Sequence, residues 1–288
     1  MSTRHLKNLK ELLPLPANPP IPPRLRPDAQ ARAAGFRRIA GVDEVGRGPW
    51  AGPVVAAAVI LHRPRLAVRI DDSKRLTPAQ RERACRVILE HAAVGIGIVC
   101  AEEIDRRNIL HATFCAMQEA VRDLPTAPDL VLVDGHLTPR LSIPCWPIVR
   151  GDQRSYVIAC ASIVAKVFRD ACMTFYHQLT PHYAFDRHKG YGTALHTQRL
   201  RDAGPSVFHR KSFAPVRSVM AIQAGSPDAH DALLAGSLAP SGTERSAALL
   251  TTSHSSTKTR HARRADRGAL VAGSRLPHLR AQRPISSR

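Results

Sequence analysis

The 288-residue chain is 44% hydrophobic and sets 42 Lys and Arg against 23 Asp and Glu, a formal charge of +19. That length and apolar content suit one large or two small cored domains, and the charge favours a polyanionic partner, nucleic acid ahead of an anionic membrane surface. No apolar run reaches the roughly 20 residues that span a bilayer, no signal-peptide core opens the chain, and six cysteines at 85, 100, 115, 145, 160 and 172 form no Cys-x-x-Cys pair, so we expect a soluble cytoplasmic protein with buried reduced thiols and no zinc knuckle.

Residues 1–37 carry +5 of the charge, and seven prolines fall between Pro14 and Pro27; this composition reads as a disordered, polyproline-like leader. Arg38–Val42 and Pro53–Leu61 read as strands joined by the glycine-rich turn Glu44–Gly52. Pro78–His91 has helical spacing, Ala93–Cys100 is a third strand, and Glu102–Arg122 is a second helix opened by acidic residues. Asp129–Val133 is short and almost wholly apolar, as at the centre of a covered sheet, whereas Pro144 and Pro147 push a strand over Ile143–Val149 to an edge. Ser155–Tyr176 reads as a long helix. Residues 221–288 carry +6, lack an apolar period and read as a disordered basic tail. One α/β domain over 38–220 remains, itself carrying the other +8.

Asp43 and Glu44 close the first strand, Asp134 closes the strand placed at the centre, and Asp152 follows Gly151 ahead of the long helix. Acids at the ends of buried strands are costly without a partner. A hard divalent cation is such a partner for carboxylate oxygens, yet acids in turns and helix caps are ordinary too, and spacing alone does not bring these four together.

The blocks around the acids resemble those of the ribonuclease HII family: Gly41-Val-Asp-Glu-Val-Gly-Arg-Gly-Pro-Trp-Ala-Gly-Pro-Val, with Trp50 where leucine is usual; Asp72-Ser-Lys; Arg107-Asn-Ile-Leu-His-Ala-Thr; Leu132-Val-Asp-Gly; Gly151-Asp; Ala161-Ser-Ile-Val-Ala-Lys-Val-Phe-Arg-Asp; His188-Lys-Gly-Tyr-Gly-Thr; and His209-Arg-Lys-Ser-Phe-Ala-Pro-Val. They run in family order over 38–217 and involve neither tail.

The resemblance implies a ribonuclease H-like fold, a mixed sheet flanked by helices. It implies an endonuclease that cuts the RNA strand of RNA–DNA hybrids and incises 5′ to ribonucleotides embedded in duplex DNA, acting as a monomer with Mg²⁺ or Mn²⁺. The metal-binding carboxylates fall on Asp43, Glu44, Asp134 and Asp152. Asp170 competes for the fourth place; Asp152 is preferred because its preceding glycine and its position before the helix let it face a site, whereas Asp170 lies within the helix beside Arg169 and Lys166. Gly46, Arg47 and Gly48 resemble the loop whose backbone approaches a ribose 2′-hydroxyl, the group that separates RNA from DNA. Tyr191 resembles the tyrosine that packs on the sugar after the ribonucleotide, and Ser73, Lys74 and Lys166 resemble phosphate-contacting positions. A ribonuclease HIII would carry a sizeable extra N-terminal domain, for which 37 residues are too few, and a non-catalytic binder would have lost one of the first three acids.

Overall fold

The computed structural model describes residues 26–224; residues 1–25 and 225–288, which hold most of the expected leader and tail, lie outside the described residues. Five strands, β1 (Ile39–Val45), β2 (Val54–Leu61), β3 (Ala92–Val99), β4 (Leu130–Asp134) and β5 (Cys145–Ile148), form one sheet in the order β3-β2-β1-β4-β5. The β1–β2 and β2–β3 pairs are antiparallel, and the β1–β4 and β4–β5 pairs are parallel. The sheet is therefore mixed, and β5, which holds Pro147 and follows Pro144, lies at the edge as expected. β1 rather than β4 occupies the centre, which corrects the reading of Asp129–Val133; β4 is an apolar run because both of its faces are covered, which does not require the central position.

Two helices cover the faces. Val54, Ala56 and Ala58 of β2 pack with Ala112, Ala116, Met117 and Ala120 of α4 (Ile109–Arg122), while Ala57 and Val59 pack with Cys160, Ala161, Ile163 and Val164 of α6 (Tyr156–Leu179). The period of two along β2 thus splits its side chains between helices. Gly41 brings α6 down onto β1: a Cβ there would lie 2.3 Å from the carbonyl carbon of Val157. Glycine at this point in the strand sets the distance between the sheet and the helix that flanks the site.

The remaining helices are α1 (Arg26–Ala33), α2 (Pro78–His91), α3 (Ala101–Arg107), the short α5 (Gly151–Arg154) and α7 (Phe185–His188), α8 (Ala194–Ala203) and α9 (Ala214–Gln223). The helix expected over Glu102–Arg122 is two helices. Asn108 breaks it at φ 68°, and its side-chain oxygen accepts the amides of Leu110 and His111 to cap α4; asparagine tolerates that backbone and supplies the acceptor. The thiol of Cys100, expected inside, is exposed. No helix among the described residues is long and apolar enough to cross a membrane.

The domain also outruns the boundaries 38 and 220. Val216 and Val219 of α9 are buried, and α9 continues to Gln223. At the other end, α1 lies inside the expected leader, yet Ala31 is fully buried and Phe36 meets Trp146 edge-on with ring centroids 5.7 Å apart. The Asp28 carboxylate accepts the amides of Tyr156 at 3.2 Å and Val157 at 3.1 Å, satisfying the open N-terminal amides of α6. Asp28→Ala should therefore destabilise the protein by about 1–2 kcal/mol, which thermal unfolding would register as a fall of a few degrees. An unchanged melting temperature would show that α1 is not part of the folded unit.

Candidate active site

Parallel pairing of β1 and β4 matches Val42 with Val133, so the next residues on the two strands, Asp43 and Asp134, stand side by side where this pairing ends, each still paired on its other side. β4 ends there. β1 continues to Val45 against β2 alone, so Asp43 and Glu44 lie within the strand and not just beyond it. Asp152 arrives from α5. Arg150, in the left-handed region at φ 54°, turns the chain so that the Gly151 amide donates to Asp134 Oδ1 at 2.5 Å, and Asp152 follows in the first turn.

The electrostatics show that these acids share one region. Burial, then the charges of Glu44 and Asp134, push the Asp43 carboxyl well above the usual carboxylate range. Burial also raises Glu44; Arg47, whose guanidinium lies 3.4 Å away, opposes this, and Asp134 adds to it. Asp152 is raised by burial and by Asp134 and Asp72, with Lys74 acting against them. Asp134 is common to all three. Asp170 instead pairs with Lys166 Nζ at 2.8 Å, and both line a groove between α2 and α6 with Arg81, Lys189 and Phe175. The structure thus gathers Asp43, Glu44, Asp134 and Asp152 and leaves Asp170 and Lys166 in a separate ion pair. Among the described residues no group of three or more His, Cys, Asp or Glu side chains stands ready to hold a metal ion.

Ser73 is buried in the 3-10 turn Ser73–Arg75, and its hydroxyl lies 3.1 Å from that of Ser162, which in turn favours the Asp43 carboxylate. Ser73 is thereby built into the carboxylate site, and Ser162, inside a block flagged for its lysine, was missed.

The loop from Gly46 to Pro53 is held from beneath by two fully buried arginines that sequence reasoning did not single out as anchors. Arg169 donates to the carbonyls of Pro53 at 3.0 Å, Ala51 at 3.2 Å and Lys189 at 3.0 Å. Arg210 donates to those of Gly52, Arg47 (3.0 Å) and Gly46 (2.6 Å). Gly46 has φ 95°, and a Cβ there would lie 2.2 Å from Arg169 Nε, so glycine is demanded by backbone and space together. Burial depresses both guanidinium pKa values, Arg210 to about 9, yet both stay charged at neutral pH. A signal existed for Arg169: it shares its helix face with the buried Ala161, Ala165 and Met173, a lone charge at a spacing of four.

Tyr191 projects from the turn between α7 and α8, 41% exposed, with the Arg169 guanidinium 5.7 Å from its ring centre. Gly46, Arg169 and Tyr191 are therefore contiguous. Beneath the turn, His188, His196 and His209 are buried.

A family model for ribonuclease HII matches residues 40–216. The chain belongs to the ribonuclease HII family. Ribonuclease HII of Chlamydia muridarum is 53% identical over 190 residues, 65% of this chain and 87% of that one, and that of Chlamydia abortus is 52% identical over 187 residues, 64% and 88%. Among solved structures, ribonuclease H2 from Pyrococcus horikoshii superposes with a TM-score of 0.56 at 22% identity, covering 64% of this chain and 97% of that one. Bst ribonuclease HIII in complex with Mn²⁺ gives 0.51 at 20% identity, covering 69% and 73%. Both share the ribonuclease H-like fold. As a ribonuclease HII the chain is a ribonuclease H endonuclease acting on RNA–DNA hybrids.

Burial, then the neighbouring histidines, lowers the pKa of His196 to about 4 and of His209 to about 3. An unfolded histidine takes up a proton near pH 6.5, so the folded state, which excludes that proton, loses stability as pH falls from about 6.5 towards those values. The raised carboxyls act with the opposite sign, so a variant must isolate the histidine contribution. In His209→Gln, denaturant unfolding should show a loss between pH 7 and pH 5 about 2 kcal/mol smaller than in the unaltered protein; equal losses would refute a buried neutral His209.

Proposed function

We propose that this ribonuclease HII, besides cutting the RNA strand of hybrids, incises duplex DNA 5′ to a single embedded ribonucleotide, leaving 3′-hydroxyl and 5′-phosphate ends. The observation that carries this reading is the contiguity of the carboxylate edge, the Gly46–Gly48 loop and Tyr191. Arg210 draws the carbonyls of Gly46 and Arg47 inward. A trans peptide sets N–H opposite C=O, so the amides of Arg47 and Gly48 face outward as donors beside the acids. A Cβ on Gly48 would meet nothing within 4 Å, which leaves the space above the loop open to a sugar. Donors of that kind recognise the 2′-hydroxyl that only a ribonucleotide presents.

Asp43, Glu44, Asp134 and Asp152 fit a divalent-metal site on grounds internal to the structure. They are hard oxygen donors, and three have carboxyls raised by burial and mutual repulsion, which a cation would relieve. Two divalent cations, Mg²⁺ or Mn²⁺, supply Lewis-acid stabilisation to the attacking and leaving oxygens at phosphorus when bound there. The chain's own residues orient the strand: the loop amides hold the ribose, Lys74 and Arg47 offer charge to flanking phosphates, and Tyr191 packs on the following sugar. Lys166 contributes to phosphate binding only by leaving Asp170. Six free thiols suit action in the cytoplasm.

Asp134→Asn preserves shape and removes the charge shared by the other three acids. It should lower cleavage by at least about a hundredfold, since a lost ligand costs several kcal/mol of barrier, without lowering the melting temperature. Mg²⁺ or Mn²⁺ should raise the melting temperature of the unaltered protein and not of the variant. More than about a tenth of the activity at saturating metal would remove Asp134 from the site.

Tyr191→Ala should slow incision at a single ribonucleotide by roughly ten- to a hundredfold, the range of lost stacking contacts, and slow cleavage within a long hybrid less. There the next sugar is a ribose, whose 2′-hydroxyl crowds the ring and leaves less contact to lose. Equal losses on the two substrates at matched salt and metal would mean that Tyr191 does not read the junction.

A further inference from the structure

Three histidines lie beneath the Tyr191 turn, His196 at 0% exposure, His209 at 1% and His188 at 7%. Their hydrogen bonds fix their tautomers. His196 Nδ1 lies 2.9 Å from the Tyr191 carbonyl, which only accepts, so Nδ1 carries the proton. His196 Nε2 must then accept, and its partner at 3.1 Å, His209 Nε2, must donate. His209 Nδ1 is left as an acceptor and receives the Ser206 amide at 3.0 Å. His188 obeys the same logic: Nε2 donates to the Tyr183 carbonyl at 2.7 Å, and Nδ1 accepts the Gly190 amide at 3.1 Å. Each ring is satisfied as a neutral imidazole, and the Ser206 hydroxyl adds a second contact to His209 Nδ1 at 2.9 Å. The His188 and His196 rings stack at 4.2 Å with planes 12° apart.

His196 is the pivot. Its own amide donates to Thr193 Oγ1 at 3.2 Å, the N-cap of α8, while the Thr193 amide donates to the Tyr191 carbonyl at 2.8 Å. The Tyr191 carbonyl thus receives two donors from the start of α8, one of them a side chain fixed by a relay reaching Ser206. On the other side, the Gly190 carbonyl accepts the Trp50 amide at 2.8 Å, tying the turn to the Gly46–Pro53 loop, and the Trp50 ring lies 5.4 Å from that of His196.

We infer that His196 is a specificity-determining positioning residue: its Nδ1–H holds the Tyr191 backbone so that the exposed ring stands at a fixed height beside the ribose-reading loop. This rests on the junction-reading role proposed for Tyr191. His196 itself touches no substrate; it acts through Tyr191 alone, and the relay through His209 keeps the proton on Nδ1.

Two polar replacements of similar bulk separate this from a packing role. Asn places its amide nitrogen where Nδ1 stood, and Gln places its own where Nε2 stood. His196→Asn should keep the ratio of single-ribonucleotide to long-hybrid cleavage within about threefold of the unaltered protein, whereas His196→Gln should shift it about tenfold towards the hybrid, as befits a weakened stacking contact. His196→Gln/Tyr191→Ala should be no more selective for the hybrid than Tyr191→Ala alone, because residues acting as one unit are not additive. Equal ratios for Asn and Gln, or losses that multiply in the double variant, would overturn the inference. If Tyr191→Ala slows both substrates equally, the junction reading fails by itself. The inference is then decided by hydrogen exchange at the Thr193 amide, which should be faster in His196→Gln than in His196→Asn; equal exchange in the two folded variants would overturn it.

Discussion

Mutual repulsion among buried carboxylates is the constraint on which the rest of the architecture depends. Asp43, Glu44 and Asp134 are brought together by parallel pairing of β1 with β4, which sets the end of β4 beside the last paired residues of β1, and α5 adds Asp152 from the side. Such a cluster opposes folding wherever its acids are ionised, because burial and like charge both disfavour the charged form. The surroundings bear that cost. Strands apolar on both faces, a helix seated on Gly41 and an N-terminal carboxylate from α1 fix α6 against the sheet. The instability is local, and it is the feature on which the proposed metal site rests.

The positive side of the site is built by another rule. Arg169 and Arg210 are as buried as any residue, yet the hydrogen bonds that hold them run to main-chain carbonyls and to no carboxylate. Carbonyls satisfy the donors without neutralising the charge, so both arginines keep a positive field beneath the Gly46–Pro53 loop. Replacing them by hydrophobic side chains would lose that field and also free the loop, since six hydrogen bonds end on a segment with little regular structure of its own. Anionic edge and cationic loop stand side by side, one suited to metal and the other to phosphate and sugar.

Much of this was legible in the chain. The strand–turn–helix order, the prolines in and before β5 and the small residues of β2 declare an α/β domain by periodicity alone, and blocks resembling ribonuclease HII name Asp43, Glu44, Asp134 and Asp152. Less legible were features that depend on a partner distant in sequence. Asn108 looked like one residue of a continuous helix because its role as a cap appears only when its side chain turns back onto the next amides. Arg26–Ala33 looked like leader because eight residues with two arginines and little apolar content have no evident face; Asp28 acquires its role 128 residues away. Lys166 looked like a phosphate contact, but Asp170 one helical turn on gives it a closer partner.

The sequence by itself determined the fold class, through local period, and the family, through motif blocks in family order, and it proposed the four acids. Which acids stand together, and how the reading loop is held, was decided only by tertiary structure. Strand order makes Asp43 and Asp134 neighbours although 91 positions separate them, and it leaves Asp170 outside. Burial turned Arg169, Arg210, His196 and His209 from ordinary basic residues into anchors, for a polar group enclosed without water must find its partner in the chain. The backbone carbonyls that serve them carry no sequence signature, so no reading of side chains alone could have found them.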